Sequence, residues 1–272
     1  MPFTFAHPAA AVPLLRPLGR YGVLSALVIG SLMPDLGYIL PFSITRDESH
    51  SLFGLLWFCL PSGLISYMLF HIMLKGPLLG LLPVFALCRL GTYAEKFQSL
   101  PSLPWTAVIV SVLFGAATHL LWDAFTHDHT LAVTTLPVLR LHVFSIGVYP
   151  VYVYKLLQHV STFAGLSLLS WWSWRWLKAT PARTAILPVM LSSAQRRIAI
   201  AVIFFVPAVL GFFAGMKTPA SLPEVLALRS FVDKAVFAAL PALVLMVIVY
   251  SVAWHIWRLR GRFPVNPFNQ MS

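Results

Sequence analysis

The chain has 272 residues, of which 59% are hydrophobic and only 10% are charged, whereas soluble domains are usually about 45–50% apolar and about 25% charged. This composition excludes a water-soluble globular fold. The net charge of +11 comes from Lys and Arg that stand singly or in pairs at the ends of apolar runs, which is typical of loops beside membrane helices and excludes a nucleic-acid partner.

The first forty residues contain apolar stretches that are too short to cross a membrane. Residues 7–18 and 22–34 predict a short helical hairpin that dips into the bilayer and turns at Gly19 and Gly22. The alternative is a single crossing by Tyr21–Leu40, which would leave His7 on the opposite face from Asp35.

Longer apolar runs follow and predict an all-α, polytopic bundle of about five or six transmembrane spans, because a crossing needs roughly 20 apolar residues. Residues 78–90, broken at Pro83, predict an interfacial or re-entrant helix. We expect residues 1–180 to form the bundle that carries the site, and residues 181–272 to add a C-terminal pair of helices to the same membrane unit. The predicted spans are Leu52–Leu74, Trp105–Phe125, Leu156–Trp176, Ile198–Met216 and Ala235–Trp257.

Basic residues predict the orientation of these spans. More Lys and Arg flank the ends that we assign to the cytoplasm, as the positive-inside rule requires. Residues 43–51 and 127–154 are then expected outside the cytoplasm, in a multi-pass protein.

The sharpest chemical signal is the spacing of His119, Asp123 and His127, which a helix places on one stripe. An imidazole and a carboxylate on neighbouring turns can chelate one divalent ion, and these donors suit Zn, Mn or Fe. The alternative is a His–Asp hydrogen bond that only locks two helices together.

Further ligand candidates lie at the same predicted membrane face. Asp35 ends the first apolar region and His50 precedes the first long span, and ionisable residues at membrane depth are costly enough to be functional candidates by default. The hairpin would return His7 to the same end as Asp35. The sequence therefore predicts a divalent metal ion held by His7, Asp35, His50, His119 and Asp123.

A polar patch at the start of a later helix is a candidate substrate-binding surface. Lys155 and Gln158 share one helix face near the predicted outer site. They would bind an anionic group such as a phosphate, or they are an ordinary polar helix start.

Four motifs in order resemble a bacterial membrane-protein family of unknown function, over roughly residues 1–215. They are the opening Met-Pro-Phe-Thr-x-x-His-Pro-Ala-Ala, Pro34-Asp35, Ser49-His50-Ser51 and His119-x-x-x-Asp123. That family is similar to membrane-bound metal-dependent hydrolases, which show an early His, a Pro-Asp, a Thr-His-Ser and a His-x-x-x-Asp. The resemblance implies the same five metal-site residues and a location in the bacterial inner (cell) membrane. The chain departs from the hydrolases by lacking the first His of their His-Arg-x-x-Thr-His-Ser motif.

The leading hypothesis is a metal-dependent hydrolase at the extracytoplasmic membrane face, acting on a lipid or phosphoester. Zn or Mn would lower the pKa of a bound water toward about 7. Asp35 and Asp123 would be ligands or general base, and His127 would support the ligands or transfer a proton. The alternative is a non-catalytic transporter or structural membrane protein that uses buried His/Asp pairs for helix packing. The sequence leaves the substrate, the metal and the oligomeric state open.

Overall fold

A computed structural model describes residues 3–39, 44–95, 104–182 and 191–260. Met1 and Pro2 of the opening motif, residue 43 of the first predicted outer loop, and residues 183–190 and 261–272 of the predicted C-terminal pair lie outside these ranges. The described chain is mostly helical, which confirms the all-α prediction, with one antiparallel ribbon of two short strands added.

The helices in chain order are α1 (Pro8–Ala11), α2 (Leu15–Leu18), α3 (Leu24–Gly30), α4 (Leu36–Ile39), α5 (Arg46–Ser49), α6 (Leu52–Gly80), α7 (Val84–Glu95), α8 (Trp105–Thr126), α9 (Leu131–Thr135), α10 (Val153–Ala179), α11 (Ser193–Gly215) and α12 (Glu224–Leu259). The strands β1 (His142–Ile146) and β2 (Tyr149–Tyr152) precede α10. Helix α6 contains two π-helical turns, Leu55–Cys59 and Phe70–Leu74.

Four helical stretches among the described residues are long and apolar enough to cross a membrane. They contain or overlap four of the five predicted spans. The remaining predicted span lies in α10, which has 27 residues and therefore the length of a crossing but not the same apolarity. The four stretches are Leu52–Gly80, Trp105–Thr135, Ser193–Gly215 and Glu224–Leu259.

The N-terminal hairpin (residues 3–39) folds as predicted and reverses at Gly19. That residue has φ +53°, a backbone conformation that favours glycine. The hydroxyl of Ser111 in α8 donates to the carbonyl of Tyr21 and accepts from the backbone N–H of Val23, both at 2.8 Å. One buried side chain thus satisfies the backbone groups that the turn leaves unpaired.

Helix α8 presents a stripe of small and polar residues to the hairpin. Ser111, Gly115, His119 and Asp123 recur every four residues and are all buried. A side chain at Gly115 would collide with the backbone of Leu27 in α3. The glycine therefore allows the two helices to approach closely, which brings the hairpin near His119 and Asp123.

The chain packs as two compact units. The first comprises residues 1–67, 103–175 and 219–229, and it contains every predicted site residue. The second comprises residues 68–102, 176–218 and 230–272. Within the second unit, the hydroxyl of Tyr250 donates to the carbonyl of Pro77 at 3.2 Å, and Gly211 lies close to the carbonyl of Ala235. The boundary expected after residue 180 stays a prediction.

Candidate metal centre

Side chains from four separate segments converge in the first unit. The Nε2 atom of His50 lies 3.4 Å from Oδ1 of Asp35, and Nε2 of His7 lies 3.6 Å from Oδ1 of Asp123. The Nε2 atom of His119 lies 3.7 Å from Asp35 and 3.6 Å from Asp123. These distances are longer than the usual N–H···O separation of about 2.7–3.2 Å. They are close to the separation of about 3.4 Å between two ligand atoms that each lie about 2.1 Å from one tetrahedral ion.

The donor atoms form two overlapping groups of three among the described residues. One group is His7, His119 and Asp123, the other is Asp35, His50 and His119, and the atoms of each group lie within 4.8 Å of one another. The two groups overlap at His119, whose Nε2 atom lies 3.7 Å from Asp35 and 3.6 Å from Asp123.

Besides Nδ1 of His7, five buried atoms of this cluster have no hydrogen-bond partner in the described part of the chain. A buried polar atom left unpaired costs about 1–3 kcal/mol, so five in one cluster form a costly arrangement unless they share a partner. A divalent cation bound among them would be such a partner, and the imidazole and carboxylate donors suit Zn or Mn. The atoms are His7 Nε2, Asp35 Oδ1, His50 Nε2, His119 Nε2 and Asp123 Oδ1.

Backbone carbonyls fix the orientation of two of the imidazoles. The Nδ1 atom of His119 lies 2.7 Å from the carbonyl oxygen of Ser31, and Nδ1 of His50 lies 3.1 Å from that of Arg46. A carbonyl can only accept a hydrogen bond, so Nδ1 of His119 carries the proton. The lone pair of its Nε2 atom then points into the centre, as in metal-binding histidines. Nδ1 of His50 also lies 3.0 Å from the hydroxyl of Ser49.

His7 differs from the other two because neither of its ring nitrogens has a partner within the described residues. Its ring stacks on that of His119, with centroids 3.6 Å apart and an interplanar angle of 11°. Burial, followed by the neighbouring His119, lowers the pKa of His7 to about 3. The ring is therefore neutral at ordinary pH, which is the form that binds a metal.

Local sequence explains how each segment delivers its side chain. The hydroxyl of Thr45 and the carboxylate of Glu48 form a capping box that starts α5, and His50 follows directly at its C-terminal end. Asp35 ends a 3₁₀ turn after α3, where the hydroxyl of Thr4 donates to its Oδ2 at 2.6 Å. The hairpin thus brings the start of the chain and Asp35 to the same point.

The centre favours positive charge. Burial alone would raise the pKa of Asp35, but His50, His119 and the hydroxyl of Thr4 more than offset it, and the pKa lies below its ordinary value. Burial alone would lower the pKa of His50, but the adjacent carboxylates of Asp123 and Asp35 raise it above the ordinary value. Two buried carboxylates therefore attract the nearest available cation, whether a proton or a metal ion.

Arg46 is a site residue that the sequence analysis did not predict. Its Nη2 atom donates to Oδ2 of Asp123 at 2.8 Å, although the two residues are far apart in the chain. The signal that could have found Arg46 is its position one helical turn before His50. Thr4, in the opening motif, was also missed.

The other predicted site residues lie beside the five-residue cluster. The Nδ1 atom of His127 lies 3.3 Å from Oδ2 of Asp123. Its Nε2 atom lies 3.3 Å from the side-chain amide nitrogen of Gln158. Lys155 donates to the amide oxygen of Gln158 at 3.3 Å. The structure thus links His127, Gln158 and Lys155 in one chain of contacts, while their catalytic and substrate-binding roles stay predictions.

A family model described as "Domain of unknown function (DUF4184)" matches residues 1–252. This match confirms the expectation of a family of unknown function. No curated protein and no solved structure matches the chain. The similarity to metal-dependent hydrolases stays a prediction.

Proposed function

The chain belongs to the DUF4184 family, and from this premise we propose that it is a membrane-embedded, metal-dependent hydrolase. One observation carries the proposal: buried, unpartnered nitrogen and oxygen atoms of His7, Asp35, His50, His119 and Asp123 lie in two groups of three residues that share His119. The bound ion would be Zn or Mn.

A purely structural cluster would be arranged differently. Polar side chains that join membrane helices pair with one another, because an unsatisfied polar group in an apolar surrounding is costly. Here the second nitrogen of His50 and of His119 is bonded to a carbonyl, while the nitrogen that faces the centre is left open. Because one nitrogen of each ring is hydrogen-bonded and the other has no partner, the arrangement supports metal binding more than a purely structural role in helix packing.

The chemistry follows from the donor set. A divalent ion supplies a bound water of lowered pKa and polarises the bond to be cleaved. Asp35 and Asp123 hold the negative charge that attracts the ion, and either carboxylate can accept a proton from the nucleophile. His127 lies beside Asp123, and the amide N–H of Gln158 faces its far nitrogen, so its near nitrogen carries a proton toward Asp123 and would orient that carboxylate.

The proposed substrate is a lipid or a phosphoester, and the proposed position is the extracytoplasmic membrane face. The support is the membrane character of the chain together with two cationic side chains near the centre. Arg46 contacts the ligand Asp123 directly, and Lys155 contacts Gln158. A guanidinium and an ammonium are the groups that proteins use to bind phosphate oxygens.

The test is metal-dependent turnover by the full chain in lipid nanodiscs. Protein stripped with a chelator and then reloaded with Zn or Mn is offered a fluorogenic phospholipid and bis(p-nitrophenyl) phosphate. We expect hydrolysis of at least one probe only after reloading, and a loss of about 100-fold or more in Asp123→Asn. The matched control is His142→Ala, which alters an exposed histidine of β1 and should keep full activity. Equal turnover in stripped and reloaded protein, or in Asp123→Asn, would contradict the proposal.

A further inference from the structure

A cavity of about 230 Å³ lies between the start of the chain and α10. Small residues on both sides create the space, namely Ala9 and Ala10 of α1 and Ala164 and Gly165 of α10. Trp122 of α8 and Leu168 of α10 supply the large side chains. Only His7 and Ser161 bring polar side chains to the lining, so the walls are almost entirely apolar.

The cavity reaches the outer surface of α8 and α10. Trp122 is 45% exposed and Leu168 is 37% exposed, so the two large lining residues also form part of the surface. Their exposed neighbours on the same helices, Leu121, Phe125 and Phe163, are apolar. A surface of this kind on a membrane-crossing helix faces hydrocarbon. Helix α8 belongs to one of the candidate spans, so this apolar surface would offer a hydrocarbon chain a way into the cavity.

The cavity and the candidate metal centre share one residue, His7. His7 lines the cavity and also belongs to the group with His119 and Asp123. Its Nδ1 atom is buried and unpartnered in the described residues, in contrast to Nδ1 of His50 and His119. A ring that binds an ion through Nε2 would thus keep a free N–H donor in a residue that lines the cavity.

We propose that this cavity binds the hydrocarbon chain of a lipid and holds the polar end of that lipid at the candidate metal centre. Apolar cavities stay dry and take apolar guests, and a volume of 230 Å³ corresponds to a chain of about eight groups the size of a water molecule. His7 donates through Nδ1 to a polar atom at the head of the chain. That the polar end of the lipid is the part cleaved rests on the proposed function. Binding of the hydrocarbon chain in the cavity does not require the metal ion.

The experiment is photocrosslinking of the full-length protein in nanodiscs. Two probes carry a diazirine on the hydrocarbon chain, one a free fatty acid and one a diacyl phospholipid, and the crosslinked residues are mapped by mass spectrometry. We expect crosslinks concentrated on residues 6–10 and 161–168, with or without added metal. The probe that gives the stronger signal identifies whether the chain enters as a free acid or as part of a phospholipid.

Two variants fill the cavity from opposite walls. Ala164→Phe and Ala10→Phe should each reduce crosslinking at these residues by about tenfold, which corresponds to losing contact with about two methylene groups. The matched control is Ala201→Phe on the exposed surface of α11, which should leave the crosslinks unchanged. Thermal unfolding of each variant establishes that it is folded.

The outcomes separate this proposal from the hydrolase. The proposal that the cavity binds a hydrocarbon chain would be overturned by crosslinks spread evenly over the exposed apolar surface. It would also be overturned by crosslinks that persist in both folded variants that fill the cavity. Either result would count against it even if the protein hydrolyses the phosphate probe. Crosslinks confined to the cavity in a protein that shows no metal-dependent turnover would support chain binding while the proposed hydrolase fails.

Discussion

Single hydrogen bonds decide which atoms of the cluster remain available to an ion. The carbonyl oxygens of Ser31 and Arg46 each hold one ring nitrogen of a histidine, and the hydroxyl of Thr4 holds one oxygen of Asp35. Such outer contacts orient ligands and often matter nearly as much as the ligands themselves.

Thr4→Val should weaken metal binding with little effect on packing, because the two side chains have nearly the same shape. Thr4 is buried and its hydroxyl donates to Asp35 at 2.6 Å, so its loss should reduce metal affinity by about 10–100-fold. Titration calorimetry with Zn measures the change. Thr134→Val is the control, since that exposed hydroxyl contacts only carbonyls of its own helix. Equal affinities in the two variants would contradict the account.

Arg46→Gln should have opposite effects on the metal-free and metal-bound forms. Removing the guanidinium leaves the buried carboxylate of Asp123 without its closest cation, which should destabilise the metal-free protein by on the order of 1–3 kcal/mol. Added Zn should then raise the unfolding midpoint more than it does in the wild type, because the ion compensates the same charge.

Arg140→Gln is the matched control for this variant. Arg140 contacts the exposed Asp128 at 3.8 Å, and exposed ion pairs contribute about 0–1 kcal/mol. If both Arg variants show the same unfolding midpoints with and without Zn, Arg46 has no special role at the centre.

The sequence predicted the residues of the buried His/Asp cluster better than it predicted the side chains that contact them. His119 and Asp123 were identifiable because helical periodicity fixes their common face, and Asp35 because an acid in an apolar segment is rare. The contact between Arg46 and Asp123 joins residues 77 positions apart. Nothing in the local pattern of either segment encodes that contact, so only the packed structure reveals it.

Two elements, α3 and α8, must pack backbone to backbone for the centre to form. A side chain at Gly30 would meet the carbonyl of Val112, and one at Gly115 would meet that of Leu27. These glycines matter because they lack a Cβ atom where the helices touch. The N-terminal hairpin depends on this contact to place Asp35 next to His119.

Gly115→Ala should therefore separate α3 from α8 and impair metal binding as well as stability. Overpacking of a tight contact costs about 1–3 kcal/mol, and the shift should move Asp35 away from His119. Thermal unfolding and metal content of the purified variant test this. Gly76→Ala is the control, because its new methyl group would meet only the Trp254 ring at 3.6 Å. Normal metal content in Gly115→Ala would refute the role of this contact.

The sequence pattern predicts the N-terminal helical hairpin, but it does not predict the two-stranded β-ribbon. Two apolar segments too short to span, joined at glycines, leave few alternatives to a reversal. Strands β1 and β2 are only five and four residues long, and every residue of β1 is exposed. They therefore lack the apolar alternation that predicts a half-buried strand.

The molecule as a whole is organised for a membrane, and its orientation determines which compartment the centre faces. The distribution of Lys and Arg predicts that residues 127–154 lie outside the cytoplasm. In a Cys88→Ser background, where Cys59 is fully buried, Val148→Cys should react with a membrane-impermeant maleimide in intact cells. Ala182→Cys, on the predicted inner side, should react only after permeabilisation. The reverse pattern would place the ribbon and residues 127–154 on the cytoplasmic side.

The metal content of the purified protein tests the central claim most directly, because every other step depends on one ion at the convergence of four segments. Elemental analysis after equilibration with Zn or Mn should give about one ion per chain in the wild type and in His142→Ala. The variants His7→Ala, Asp35→Ala, His50→Ala, His119→Ala and Asp123→Ala should each lose most of it. A wild type that binds no divalent ion, or folded variants that bind as much as the wild type, would contradict the account.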